Sequence, residues 1–260
     1  MELLKLHRRR SRLSDAAYIA LNIALALVLI FVVLSTQSFW LPLIIVLISK
    51  WRVFAVRPRF WRQNILTNMV DIIVGVSHVA FLYAATGELW LQVVLTVGYI
   101  VWLLFVKPRS KRLFVVTQAG AALFAGTTAL SMVVYRYDAL FLVLGMIIIG
   151  YVTARHVLVH YEMPVVSYYS LVWALIVAEL SWFAHSWLFA YTLPNTANLK
   201  LSQLALIVTL LGFVAERAVA SQHEHGSVRQ GDMIGPATFS VGLIIILVVF
   251  FSKLTANGAL

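Results

Sequence analysis

The sequence contains no cysteine and few charged residues. Asp, Glu, Lys and Arg make up 12% of its 260 residues, whereas about 25% is usual for a soluble domain. Without cysteine the chain forms neither disulfides nor thiolate metal sites. The motifs G-x-S-x-G, G-x-x-x-x-G-K-[ST] and H-E-x-x-H are also absent. Their absence argues against serine hydrolases of the nucleophile-elbow type, P-loop nucleotide hydrolases and zincin-type metalloproteases.

Long apolar runs dominate what is present. Residues of the AVILMFWYC set make up 62% of the chain, and the mean hydropathy is +0.93. A bilayer crossing takes about 20 residues, and the chain predicts about nine such spans. They fall at 16–36, 39–56, 64–86, 89–106, 113–135, 139–160, 165–192, 199–220 and 234–253. We therefore expect an all-α polytopic transmembrane bundle that forms one domain over residues 1–260.

Two runs at the start of the chain need separate interpretation. The first follows a basic segment, residues 1–14, as in a signal peptide, but its apolar part is too long and lacks a cleavage site. We expect a retained helix that begins at Ser14 or Asp15. In the second run only 39–49 are purely apolar before Lys50. This segment is either a full span with snorkelling basic ends or a re-entrant segment.

Basic residues and prolines both fall at the edges of the runs. With the N-terminus in the cytoplasm, 17 of the 20 Lys and Arg residues lie on the cytoplasmic side, which is a strong positive-inside signal. We expect the loop 221–233 on that side, and anionic lipid headgroups rather than nucleic acid as the partner of the basic loops. Since all six prolines mark span edges, the pattern lacks the broken helices of many transporters.

Four ionisable residues lie deep within the apolar runs, away from their cytoplasmic ends, where such groups are costly and indicate function by default. Asp71 and His78 share one helix face, and Glu179 and His185 lie in the seventh run. At 1.5 Å per residue, His78 and Glu179 both lie about 20 Å from the cytoplasmic surface. We expect either a paired intramembrane polar site or separate hydrogen bonds from each residue to serines or backbone.

A second group of charges lies near the cytoplasmic ends of later helices. Arg155, Glu216 and Arg217 fall at a depth similar to that of Asp71. Opposite charges inside the membrane are commonly paired with one another. We therefore expect a structural charge layer rather than a catalytic centre.

Four histidines raise the possibility of a metal site. His156 and His160 are spaced i, i+4, and His223 and His225 lie in a cytoplasmic loop. Imidazole suits zinc or non-haem iron. Interfacial histidines are commonly only solvated, and the pattern matches no established metal motif. We expect no metal and no cofactor.

Small residues recur at helical spacing in the fifth and sixth runs. Ala122 and Gly126 lie in the fifth run, and Gly150 and Ala154 lie in the sixth. Such faces allow close approach of two helices. We expect them to pack inside the bundle, with a dimer interface as the alternative.

The last third of the chain carries a family resemblance. Glu179-Leu-Ser-Trp182, followed by Leu193-Pro194 and one more helix running inward, resembles a group of uncharacterised polytopic membrane proteins. These proteins are found in bacteria of small-genome candidate lineages and form a domain of unknown function. The resemblance implies a bacterial inner-membrane setting and no mechanism.

Three functions remain open from the sequence. A non-catalytic membrane subunit or scaffold fits the short loops and absent motifs, with a membrane-protein partner or a second copy as its counterpart. A small-solute or proton-coupled transporter would use Asp71, His78 and Glu179. An intramembrane metal enzyme would use the histidine pairs. Fold class alone does not separate these functions.

Overall fold

The computed structural model describes residues 2–186, 190–192 and 199–251, with only the backbone for 2–13 and Arg52. The predicted features at Leu193, Pro194 and Lys253 lie outside these residues. The described chain forms the α-helices α1 (Glu2–Thr36), α2 (Trp40–Ser49), α3 (Trp61–Ala84), α4 (Leu89–Val101), α5 (Arg112–Val134), α6 (Ala139–His160), α7 (Val166–Ser186), α8 (Gln203–His225) and α9 (Gln230–Ile246). Single π-turns extend α4 over Trp102–Val106 and α9 over Leu247–Phe251.

Eight of the described helical segments are long and apolar enough to cross a bilayer, and only α2 is shorter. The prediction of an all-α transmembrane bundle is therefore confirmed. Large apolar side chains also cover the outside of the bundle: Leu21 is 66% exposed and Phe31 is 69% exposed. Surfaces of this kind suit contact with lipid, so the chain is a multi-pass membrane protein.

Neighbouring helices alternate in direction, so the bundle has two ends. We call the end that carries residues 107–111 the basic end. The turns 161–165 and 226–229 lie at this end, and 85–88 and 135–138 lie at the opposite end. Helix α5 is central and packs against α3, α6 and α8, while α7 packs mainly along α6 and α9 along α8. The core runs through α1 to α8, with Leu82, Leu103 and Met146 fully buried.

The segment 39–56 runs antiparallel to α3 along its whole length. The ring of Phe39 lies 5.8 Å from that of Tyr83 at the opposite end. Near the basic end, the Asn64 amide donates to the Val53 carbonyl at 2.7 Å. Helix α2 itself covers only about 15 Å, and irregular chain and a 3₁₀ turn at Trp51–Val53 complete the path. This geometry favours a full crossing over a re-entrant segment.

Several predicted boundaries are wrong. Helix α1 begins at Glu2, not at Ser14 or Asp15, so the basic N-terminal segment is helical. Helix α8 continues to His225 and ends at Gly226, whose φ of 71° closes the helix in the left-handed region. The loop predicted over 221–233 is therefore much shorter. Pro236 lies inside α9 rather than at the start of a span.

A short β-hairpin replaces the predicted end of the seventh helix. Ala190–Thr192 pairs antiparallel with Lys200–Ser202 at the opposite end of the bundle. Gln203, which follows the hairpin, donates to the Leu247 carbonyl at 2.9 Å. The hairpin thus connects α7 to α8 beside the end of α9.

The small residues pack inside the bundle, as one of the two alternatives predicted. A Cβ added at Gly126 would lie 2.7 Å from Ile73 of α3. A Cβ added at Gly150 would lie 3.0 Å from the Cα of Ala174 in α7 and would collide with Val177. These two glycines allow α5 to approach α3 and α6 to approach α7.

Candidate functional site

Asp71 is the centre of a buried charge cluster that joins three segments. Lys50, just after α2, places its Nζ 2.5 Å from Asp71 Oδ2. Lys107, just after the π-turn of α4, places its Nζ 2.8 Å from the same oxygen. Trp102 Nε1 donates to Asp71 Oδ1 at 3.4 Å. Since Lys50 and Asp71 are each only 8% exposed, this cluster holds α2, α3 and α4 together.

The two lysines of this cluster were not among the predicted site residues. Lys50 interrupts a purely apolar run, and Lys107 stands directly before Pro108. Each therefore has an ordinary interpretation as a loop charge. The position of Lys50 could have indicated the cluster from sequence, because a lysine next to an apolar run inside a span needs a buried anion.

His78 is buried on the same side of α3 but in a different environment. Its ring stacks on the ring of Tyr99 at 4.2 Å and an angle of 14°. Neither His78 Nε2 nor the Tyr99 hydroxyl has a hydrogen-bond partner among the described residues. A Cβ added at Gly75 would lie 3.2 Å from the Tyr99 oxygen, so this glycine makes room for the stack.

Glu179 and His185 lie on α7, away from Asp71 and His78. Glu179 is exposed and forms no hydrogen bond or ion pair with any described residue. His185 places its Nε2 3.2 Å from the Tyr137 carbonyl, which ties the end of α7 to the turn before α6. The pair of His78 with Glu179 therefore does not form, and the four residues do not make one site.

Glu216 is the centre of a second charge cluster, near the basic end. The Tyr161 hydroxyl donates to Glu216 Oε1 at 2.6 Å, and Arg217 Nε donates to Oε2 at 2.8 Å. Arg112 lies 3.9 Å from Glu216 and also pairs with Glu224. Burial, together with the bond to Glu216, raises the pKa of Tyr161 to about 12.

The predicted charge layer is therefore two separate clusters with different members. Glu216 pairs with Arg217 as the interpretation of a structural layer requires, but Asp71 takes its cations from Lys50 and Lys107. Arg155 is half-buried on α6 and forms no ion pair within the described part of the chain. The second cation near Glu216 is Arg112 of α5. The sequence of α8 alone does not predict this contact, because Arg112 belongs to another helix.

The four histidines considered as possible metal ligands take part in other interactions. His156 Nε2 lies 2.9 Å from Gln118 Oε1, and Gln118 in turn donates to the carbonyls of Val106 and Arg109. Rings of His160 and His223 flank that of Tyr161. His225 lies 3.5 Å from Asp232. No group of three or more His, Asp or Glu residues in the described chain is placed to hold a metal ion.

A cavity of about 920 Å³ lies between α5, α6, α7 and α8 beside Glu216. Its walls are mostly apolar, with Gly120 on α5 and Gly212 on α8 contributing no side chain. Asp71, His78 and Glu179 do not line it. The cavity has the size and composition of a small-molecule site.

Comparison with known proteins adds no assignment. No protein-family model matches the chain, and neither the curated proteins nor the solved structures provide a match.

Proposed function

We propose that this chain is a non-catalytic subunit or scaffold in a bacterial cytoplasmic membrane, where it binds another membrane protein through α7. The observation that carries the proposal is the exposed position of Glu179 inside an apolar helix. The membrane assignment rests on the distribution of Lys and Arg and on the family resemblance described above.

Glu179 lies in the middle of an exposed surface of α7, which we call the outer face. Its other members are apolar or aromatic side chains that are 48–60% exposed: Tyr168, Leu171, Leu175 and Trp182. From Val166, the first residue of α7, Glu179 is about 20 Å along the helix. The hydrocarbon core of a bilayer is about 30 Å thick, so this carboxyl lies well below either surface.

An isolated carboxyl group in lipid is unfavourable, because neither water nor a neighbouring side chain satisfies it. A spanning helix that presents a hydrogen-bond donor or a base at the same depth would remove this penalty. An interhelical hydrogen bond of this kind contributes about 1–2 kcal/mol. The flanking apolar side chains of the outer face would then pack against the partner helix.

The two other functions have less support. Proton-coupled transport depended on a pair of His78 with Glu179, which does not form, and Asp71 is already neutralised by two lysines. A metal enzyme depended on the histidine pairs, and the ring of His156 is bonded to Gln118.

Photo-crosslinking in native membranes tests the proposal. A photoreactive residue at Leu175 should give one discrete protein adduct, because Leu175 lies one turn from Glu179 on the outer face. The same residue at Val97, which is 54% exposed on α4, is the matched control and should give lipid adducts only. Glu179→Leu should abolish the Leu175 adduct, whereas Glu179→Gln should retain it, because the amide still forms hydrogen bonds.

Three results would contradict the proposal or change its partner. An adduct at Leu175 that persists in Glu179→Leu would show that the carboxyl is not the anchor. Lipid adducts alone at both positions would show that α7 has no partner. An adduct of twice the chain mass would replace the proposed heteromeric partner with a second copy of this chain.

A further inference from the structure

The cavity between α5, α6, α7 and α8 lies toward the basic end of the bundle. Its lining on α8 runs from Thr209 to His223, about 21 Å along that helix. On α6 it runs from Thr153 to Tyr161, about 12 Å. Half of a hydrocarbon core is about 15 Å thick. The cavity therefore reaches from the basic end to roughly the middle of the bundle, on the side that we expect to face the cytoplasm.

The space in this cavity follows from two glycines and from the packing of α7. A Cβ added at Gly120 would meet no atom within 4 Å, so α5 presents open space at this point. On the facing wall, Gly212 lies opposite Leu123 and Trp173, which a Cβ would approach to 3.0 and 3.7 Å. Because α7 packs along α6 and contacts α8 only sparsely, the cavity opens sideways between α7 and α8.

The mostly apolar lining also carries aromatic rings and two carboxylates. Tyr161, Tyr169 and Trp173 contribute rings, and Glu162 and Glu216 contribute carboxylates, while the lining includes no Lys or Arg. The charge of Glu216 is balanced by Arg217 and Arg112. Glu162 is exposed at the mouth of the cavity and has no ion pair among the described residues. Arg112 lies over the Tyr161 ring, 5.0 Å from its centroid, whereas no described cation lies over the Tyr169 ring. One uncompensated negative charge and one such aromatic ring therefore line the cavity near the basic end.

We propose that this cavity binds an amphiphile that has an ammonium head and an aliphatic tail. The aliphatic tail would lie along the apolar walls, where Val116, Leu123 and Phe213 contribute to the lining. The ammonium head would lie at the basic end against Glu162, where the ring of Tyr169 in the first turn of α7 would stabilise a desolvated cation. Entry is sideways from the leaflet between α7 and α8. The outer face of α7 plays no part in this site, so the inference is independent of the proposed partner.

Native mass spectrometry of the full chain in maltoside micelles tests this proposal with three probes that share a twelve-carbon tail. We expect dodecyltrimethylammonium to bind at one equivalent and at least tenfold more tightly than dodecyl sulfate or dodecanol. Phosphatidylethanolamine and phosphatidylglycerol with identical tails form a second arm. Preference for the ethanolamine lipid would identify a membrane lipid as the source of the ammonium head. Preference for the alkylammonium probe over both lipids would identify a single-chain cation.

Two variants locate the binding. Gly120→Leu fills the open space and should weaken dodecyltrimethylammonium binding at least tenfold. Gly98→Leu is the matched control, because a Cβ at Gly98 on the outside of α4 also meets no atom within 4 Å. Glu162→Gln should weaken binding of the ammonium probe about three- to tenfold, which is roughly 0.7–1.4 kcal/mol in binding free energy. It should leave the binding of dodecanol unchanged. Since Glu162 is exposed, this variant tests the head site without disturbing the core.

Three results would overturn the proposal. Equal or tighter binding of dodecyl sulfate would assign the cavity to an anionic head or to non-specific adsorption. Unchanged ammonium binding in Gly120→Leu, with the variant folded, would place the probe elsewhere on the bundle. Unchanged binding of the ammonium probe in Glu162→Gln would show that this carboxylate is not part of the site.

Discussion

The substitution Asp71→Asn should be among the most destabilising single changes in this protein. Asp71 holds Lys50 and Lys107 through one oxygen, at 2.5 and 2.8 Å. The amide has nearly the same shape but no charge, so the change leaves both ammonium groups without an anion. Lys50 cannot move its ammonium group into water, because its side chain is only 8% exposed. Lys107 is 29% exposed and can turn toward the membrane surface.

The size of the effect follows from these distances. At an effective dielectric constant of about 20, charges 2.5 and 2.8 Å apart attract by roughly 7 and 6 kcal/mol. Repulsion between the lysines and the desolvation of all three groups oppose this attraction. Removal of one partner of a buried pair typically costs about 3–5 kcal/mol. On the scale for domains of about 150–250 residues, that loss lowers Tm by roughly 6–20 °C.

A double-mutant cycle measures whether the loss comes from the uncompensated lysine. Lys50→Met alone leaves Asp71 bonded to Lys107 and Trp102, so we expect a loss of about 1–2 kcal/mol, below that of Asp71→Asn. The double variant Lys50→Met with Asp71→Asn removes the buried cation as well, so it should be more stable than Asp71→Asn alone. Thermal unfolding of the detergent-solubilised unsubstituted protein, the two single variants and the double variant measures the four stabilities that the cycle compares.

The reasoning fails if the free energy of unfolding of Asp71→Asn is within about 1 kcal/mol of that of the unsubstituted protein. It also fails if the double variant is less stable than Asp71→Asn, because the lone lysine would then not be the cause of the loss.

Two further predictions concern topology and helix packing. A tag within 107–112 should be shielded from reagents added outside intact cells, because the distribution of Lys and Arg predicts a cytoplasmic loop there. A tag after Asn257 should be reachable, because the segment 39–56 accompanies α3 from end to end and makes the number of crossings odd. An unreachable tag after Asn257 would contradict that crossing. Gly150→Ala should lower stability by about 1–3 kcal/mol, because a Cβ would press on α7. Gly98→Ala, where a Cβ meets no atom within 4 Å, should be neutral or slightly stabilising; equal melting temperatures for both would refute the packing argument.

The apolar composition was sufficient to predict the helices and their order. A run of about 20 apolar residues has to satisfy its own backbone in lipid, so it forms a helix irrespective of its neighbours. The same argument does not apply at boundaries, because backbone groups outside the hydrocarbon can form hydrogen bonds with water and do not require a helix. Helix α1 extends beyond the predicted start at Ser14 to Glu2, whereas Ala190–Thr192 forms one strand of a hairpin instead of continuing α7.

The partners of the polar side chains were decided by tertiary structure. The sequence indicated that Asp71 and His78 are costly in a membrane and need compensation, because that follows from residue type and depth alone. It did not indicate which helices lie beside them. Lys50 reaches Asp71 only because 39–56 packs antiparallel to α3, and His78 stacks on Tyr99 only because Gly75 leaves room for that ring.

Glu179 shows the same division between sequence and structure most clearly. Residue type and position gave its depth in the membrane, since depth depends only on the count of residues from the helix start. The direction in which it points depends on how α7 is rotated against α6, and Gly150 sets that rotation by admitting Ala174 and Val177. This packing places Glu179 on the outside of the bundle, because the inward-facing positions of α7 are taken by small and β-branched residues that fit against α6.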